Sequence, residues 1–206
     1  MQSRILAVLG GLLLAVSTAG HAAILYSNFG AGDTFRTDVG WTTGAFCGGS
    51  HDLSCLPVAM QFVPAATGAV TNVEVALWSE NSTPARVTFG LYSDSGSDTI
   101  GTLLESFGLD VSSKTAHVLS QSLAGSTVLT AGKDYWLALT DIGSGTNVPW
   151  NENSTYTLGR AAQFEAYYSS QVLAVFRITG TVPEPGTLAL LGLGLAGLAA
   201  TRRSKQ

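Results

Sequence analysis

Short runs of alternating apolar and polar residues, each bounded by a cluster of Gly, Ser, Asn or Asp, fill residues 23–182 of the chain. No stretch there holds a 3.6-residue apolar period over a dozen positions, which argues against a helical bundle. A period of two sends successive side chains to opposite faces of a strand, so this texture predicts strands that bury one face each. In VTNVEVALW (70–78), Val73, Val75 and Leu77 alternate with Glu74 and Ala76; in RVTFGLY (86–92), Val87, Phe89 and Leu91 alternate with Thr88 and Gly90 before the turn SDSGSD. Further strands are predicted over 23–29, 58–63, 103–109, 117–123, 134–141 and 172–179, with a shorter one around 162–168. The 24 glycines of the 206-residue chain suit the many turns this requires. The expected fold is all-β, an antiparallel β-sandwich or jelly-roll-like domain over residues 23–181.

The two ends are made of different material. Residues 1–22 place Arg4 before an apolar run over 5–16 and then small residues, the layout of a secretory signal peptide, with cleavage expected after Ala22 or, one residue on, after Ala23. At the C-terminus, residues 182–206, Pro183 and Pro185 hold Glu184 in an extended segment. Fifteen uncharged residues follow, 187–201, and then the basic residues Arg202, Arg203 and Lys205. A helix of that length reaches about 22 Å, short of a hydrocarbon core of about 30 Å, so snorkelling and local thinning would complete a single transmembrane helix. Arg202, Arg203 and Lys205 would stop transfer and keep the extreme C-terminus cytoplasmic. Gly192, Gly194 and Gly197 offer a small-residue face for close helix packing.

These ends distort the averages. The chain is 46% hydrophobic, 12% charged and carries a net charge of −4, but residues 23–182 hold six basic and thirteen acidic residues, a balance of −7. Such a domain repels phosphate backbones, and nucleic acid is not an expected partner. Cys47 and Cys55 enclose a short glycine-rich loop, and in an exported chain an isolated pair most simply forms a disulfide. The alternative, a metal held by Cys47, Cys55, His51 and Asp52, matches no common zinc spacing, so no metal and no cofactor is expected.

No nucleophile elbow, zinc-protease helix, phosphate loop or dinucleotide fingerprint is present, and the segment after residue 22 has two histidines, His51 and His117. No catalytic residue is assigned and an enzyme is not expected, although thirteen acids leave a two-carboxylate glycosidase conceivable. Asp94 and Asp98 would suit Ca²⁺, but a polar hairpin turn explains them as well. Trp78, Tyr135 and Trp136 sit in or beside apolar strands and are expected in the core. Trp41, in VGWTTG, and Trp150, in NVPWNENSTY, are the candidates for exposed sugar-stacking rings, with Asn151 and Asn153 as hydrogen-bond partners and Tyr167 and Tyr168 as a second platform. The competing expectation is that a loop tryptophan plugs the end of a sandwich.

The order of the Pro183-Glu184-Pro185 tripeptide, apolar stretch and basic end closely resembles the PEP-CTERM sorting tail of bacterial exported proteins. That resemblance implies an exosortase, an integral-membrane cysteine transpeptidase, as the partner that cuts near the tripeptide, in a host that makes exopolysaccharide. AMQFVPA, VTNVEVALW, VTFGLYSDSGSDTIGTLLESF and LTAGKDYWLAL, spanning 59–139, resemble the choice-of-anchor R type domain, a family defined by architecture and not by a reaction. Together these imply a chain exported through the Sec translocon and trimmed by signal peptidase. The inner membrane would hold it transiently by its C-terminal helix before passage to the cell surface or extracellular space. The expected function is a non-catalytic cell-surface or extracellular-matrix protein, the alternative being a carbohydrate-binding module of the exopolysaccharide matrix. Mass spectrometry of the exported product should place its N-terminus at Ala23 or Ile24; a product retaining Met1 would contradict the signal-peptide reading.

Overall fold

The structure, a computed structural model, describes residues 20–41, 58–79, 84–141, 147–163 and 166–183. These residues contain no helix, and Ala22–Thr181 form one compact unit built from two antiparallel sheets. With strands numbered in chain order, the first sheet runs β1 (His21–Ser27), β13 (Phe176–Val182), β4 (Gly68–Leu77), β10 (Trp150–Asn153) and β2 (Phe35–Trp41). β7 (His117–Ser122) and β8 (Val128–Leu129) also pair with β4. The second sheet runs β12 (Ala166–Val172), β11 (Leu158–Gln163), β3 (Val58–Phe62), β9 (Tyr135–Asp141), β5 (Ala85–Asp94) and β6 (Ile100–Val111).

The alternating runs become the strands that face the core. Val73, Val75 and Leu77 of β4 and Val87, Phe89 and Leu91 of β5 are fully buried. The register sets Val58, Met60 and Phe62 of β3 beside Leu139, Leu137 and Tyr135 of β9, all turned inward, and leaves Ala59 and Gln61 on the outer side with Ala138 and Trp136. Aromatic rings join the sheets across the core. Phe62 of the second sheet meets Tyr26 and Phe176 of the first, with ring centroids 5.1 and 5.4 Å apart. Phe89 meets Trp150 at 5.0 Å, edge to face. Burial in this layer pushes the Tyr26 phenol up to about 12, because the phenolate would lose its hydration.

Four segments depart from the sequence expectation, one of them the two-residue β8, which no alternating run marks. The stretch expected as one short strand around 162–168 is a hairpin of two strands, β11 and β12, with a register shift between Gly159 and Ala161. β10 lacks alternating apolar residues, whereas β2 sets Phe35, Val39 and Trp41 against Arg36, Asp38 and Gly40; neither was expected as a strand. β10 (WNEN) is held instead by asparagine side chains, since the chain beside it over 173–175 pairs irregularly and its backbone groups need partners. Asn153 Nδ2 donates to the Leu173 carbonyl at 2.7 Å, and its Oδ1 accepts from the Thr157 amide at 2.6 Å. Asn151 Nδ2 donates to the Arg36 carbonyl at 2.8 Å, tying β10 to β2. Asn28, almost fully buried, clamps the same region by donating to Ala174 O and accepting from Phe176 N, each at 2.8 Å.

Cys47, Cys55, residues 1–19 of the signal-peptide segment and the apolar C-terminal stretch lie outside the described residues, while His21 and Ala22, at the end of that segment, open β1. Among the described residues no helix is long and apolar enough to cross a membrane.

Trp150 is fully buried between Phe89 and Phe176 and donates its indole N–H to Val175 O at 2.9 Å. Trp150→Ala should therefore cost about 3–5 kcal/mol in a chemical-denaturation measurement. Trp150→Phe, which keeps a ring but strands a buried carbonyl, should cost about 1–3 kcal/mol.

Candidate functional site

The hairpin joining β5 to β6 is a tight polar turn. Ser95 N donates to Thr99 O at 2.9 Å, and Gly96 and Asp98 take left-handed conformations with φ of 88° and 56°, which glycine adopts freely and Asp tolerates. The Asp94 carboxylate organises it. Oδ1 accepts from the Gly96 amide at 2.7 Å, while Oδ2 accepts from Trp136 Nε1 at 2.8 Å and Gln61 Nε2 at 3.1 Å. Asp98 accepts from Gln61 at 3.4 Å and pairs with Arg160 Nη2 at 2.7 Å. The oxygens considered for Ca²⁺ are thus engaged by protein donors, and among the described residues no three His, Cys, Asp or Glu side chains gather into a metal-binding group.

Partial burial by itself would raise the pKa of Asp94. The hydrogen bonds from Trp136, Gly96 and Gln61 outweigh that effect and hold the carboxyl below the usual carboxylate range.

This turn closes over a small apolar layer on the outer face of the second sheet. Ala59, Tyr92, Trp136, Ala138 and Ala162 are buried together there, with Ile100 packed against them. The small residues let large rings lie along the sheet: a Cβ at Gly90 would stand 2.5 Å from Cε2 of Tyr92. Tyr167, opposite Ala162 in the register, turns its ring edge to face against Trp136, with centroids 5.7 Å apart. Its hydroxyl accepts from Ile100 N at 3.4 Å. Tyr167 and Tyr168 remain 44% and 39% exposed, but as neighbours along β12 they turn to opposite faces of the sheet and do not form one platform.

The tryptophans first considered for sugar stacking are placed otherwise. Trp150 is a core residue, because its neighbours on β2 and β4 carry its ring into the space between the sheets. Asn151 and Asn153 are fully buried and spend their amide N–H groups on backbone carbonyls, so they offer no donors to a ligand. Trp41 ends β2 directly opposite Trp150, half-buried, with its indole N–H given to Val172 O at 2.9 Å. Of the residues expected in the core, Trp136 and Tyr135 are buried and Trp78 is half-buried. Trp136 is buried on the outer face, however, not between the sheets. The signal that could have located this cluster is the phase of three strands: Gln61, Trp136 and Tyr92 all fall on the side opposite Met60, Leu137 and Leu91.

At the other candidate site, Pro183 is exposed and directly follows β13, whose ladder it cannot extend because it lacks an N–H. Glu184, Pro185, Arg202, Arg203 and Lys205 lie outside the described residues. Residues 181–204 match the PEP-CTERM protein-sorting motif. The chain carries that sorting signal. The motif supports an exported protein that is processed by an exosortase and sorted to the cell surface. No curated protein matches the chain.

The depressed pKa of Asp94 has a stability consequence with a definite sign. Its contribution is complete above the unfolded-state value of about 3.9 and is lost as pH falls through the lower folded value. Asp94→Ala, which strands the buried Trp136 indole N–H, should cost about 1–3 kcal/mol at neutral pH. The gap between wild type and variant should narrow as urea titrations are taken below about pH 4.

Proposed function

We propose that the chain is an exported, non-catalytic surface or extracellular-matrix protein, a β domain of the choice-of-anchor R type delivered through its C-terminal sorting tail. The observation that carries this reading is the sorting motif over 181–204, which begins in the last strand of the domain. The apolar residues 187–201 act as a transient inner-membrane helix, and Arg202, Arg203 and Lys205 stop transfer until an exosortase acts near Glu184. Cys47 and Cys55 close a disulfide in the oxidising space outside the membrane.

The non-catalytic part of the reading draws on how most of the described acids are used. Asp33 and Glu74 pair with Arg177, Glu152 and Asp38 with Arg36, Asp110 with Arg86, and Asp98 with Arg160. Carboxylates spent on ion pairs and turn bonds are poor candidates for acid–base chemistry. Turnover of any member of a glycan and peptide substrate panel would overturn this part of the reading.

The sorting reading is tested by measuring mass and location of the mature protein in hosts with and without exosortase. Loss of the enzyme should leave a heavier product in the inner membrane. An unchanged mass and location would instead make residues 187–201 a permanent anchor.

A further inference from the structure

A sheet in a two-layer sandwich needs one apolar face, yet the second sheet has two. Its outer layer of alanines under Tyr92 and Trp136 leaves one ring, Tyr167, 44% exposed above it. That ring is held on two sides, by the perpendicular Trp136 indole at 5.7 Å and by the Ile100 amide at its hydroxyl. A ring fixed in this way loses little freedom when a ligand covers it.

Planar polar groups stand on the same face. Gln61 lies between Trp136 and the Asp98–Arg160 pair, and it is tied to both Asp94 and Asp98. Arg160 and Asp98 are 39% and 47% exposed at their side chains while bonded at 2.7 Å, so each keeps oriented donors or acceptors for solvent. An exposed ring beside a few fixed planar donors and acceptors matches the chemistry of a pyranose, which has an apolar C–H face and paired hydroxyls at its edge.

Charge narrows the ligand class. The Arg160 and Asp98 charges offset each other, and the surrounding domain carries −7, which disfavours a uronate or sulfated chain. We infer that the outer face of β3, β9 and β11, with the Tyr167 ring as its platform, binds a neutral polysaccharide. This goes beyond the sorting reading and does not rest on it, since binding is read on the exported chain whichever way its tail is processed.

The test is affinity gel electrophoresis of the full exported chain. Hydroxyethylcellulose and mixed-linkage β-glucan serve as neutral probes, and polygalacturonate as the anionic one. The neutral gels should retard the protein and polygalacturonate should not. Tyr167→Ala should weaken retardation about tenfold or more, Tyr167→Phe should keep most of it, and Tyr168→Ala should leave it unchanged. The inference falls if neither neutral gel retards the wild type, if polygalacturonate alone does, or if Tyr167→Ala migrates as wild type does. Should Tyr167→Ala lose its cooperative unfolding transition, the Arg160→Gln/Asp98→Asn double variant carries the test, because it leaves every ring in place. Several-fold weaker retardation with an intact transition supports the site, and unchanged retardation overturns it.

Discussion

A chain of aromatic contacts through the middle of the sandwich fixes how the two sheets face each other. It runs from Tyr135 through Phe62, Phe176, Trp150 and Phe89 to Phe107, crossing between the sheets at Phe62–Phe176 and Phe89–Trp150, with centroid separations from 5.0 to 6.0 Å. Each ring is both a large apolar surface removed from water and a shape that its neighbours must fit, edge to face at the two crossings between the sheets and stacked at Phe89–Phe107. Because Trp150 carries an N–H into this layer, its acceptor is part of the same constraint, and Val175 O must stay beside it. That requirement sets the path of the segment over 173–175 and hence the need for Asn28, Asn151 and Asn153 around it.

How much of this could be read in the chain follows from where the stabilisation comes from. β3, β4, β5 and β9 draw theirs from alternating apolar side chains, a signal written within each strand, and they form close to where alternation places them. β10 and β2 draw theirs from side-chain clamps and from a partner more than 100 residues away, as Asn151 Nδ2 to Arg36 O illustrates. WNEN therefore looks like a loop until the partner is known, whereas FRTDVGW sets Phe35, Val39 and Trp41 against Arg36, Asp38 and Gly40, an alternation weakened by the polar Thr37. The division of 158–172 into β11 and β12 was hidden for a related reason: AYYSSQV in β12 has neither charge nor alternation to mark it as separate.

The same distinction governs the candidate sites. The sorting motif is contiguous in sequence and was legible without a structure. The outer-face cluster takes Gln61, Asp94, Trp136, Arg160 and Tyr167 from five strands, so only the register brings them together. Trp136 was correctly expected to be buried, but burial alone does not say on which side of a sheet. Trp150 shows the converse error: polar neighbours in sequence suggested exposure, while its cross-strand neighbours, Trp41 and Leu77, belong to the core side.

The two outer faces of the sandwich are built differently, and the contrast bears on function. The first sheet turns charged groups outward: Arg177 bridges Glu74 through Nε and Asp33 through Nη1 and Nη2, while its guanidinium covers the Phe29 ring at 5.2 Å. Arg36 likewise pairs with Asp38 and Glu152 and lies over Tyr156. These charges are matched within the domain, so the face asks nothing of a partner. The second sheet instead stacks Tyr92, Trp136 and Tyr167 on alanines and holds them with a hydrogen-bonded turn. Closing the sandwich requires none of this, because the inner faces already bury the main core. Where one of two equivalent surfaces departs from what folding needs, the departure is best explained by what that surface touches.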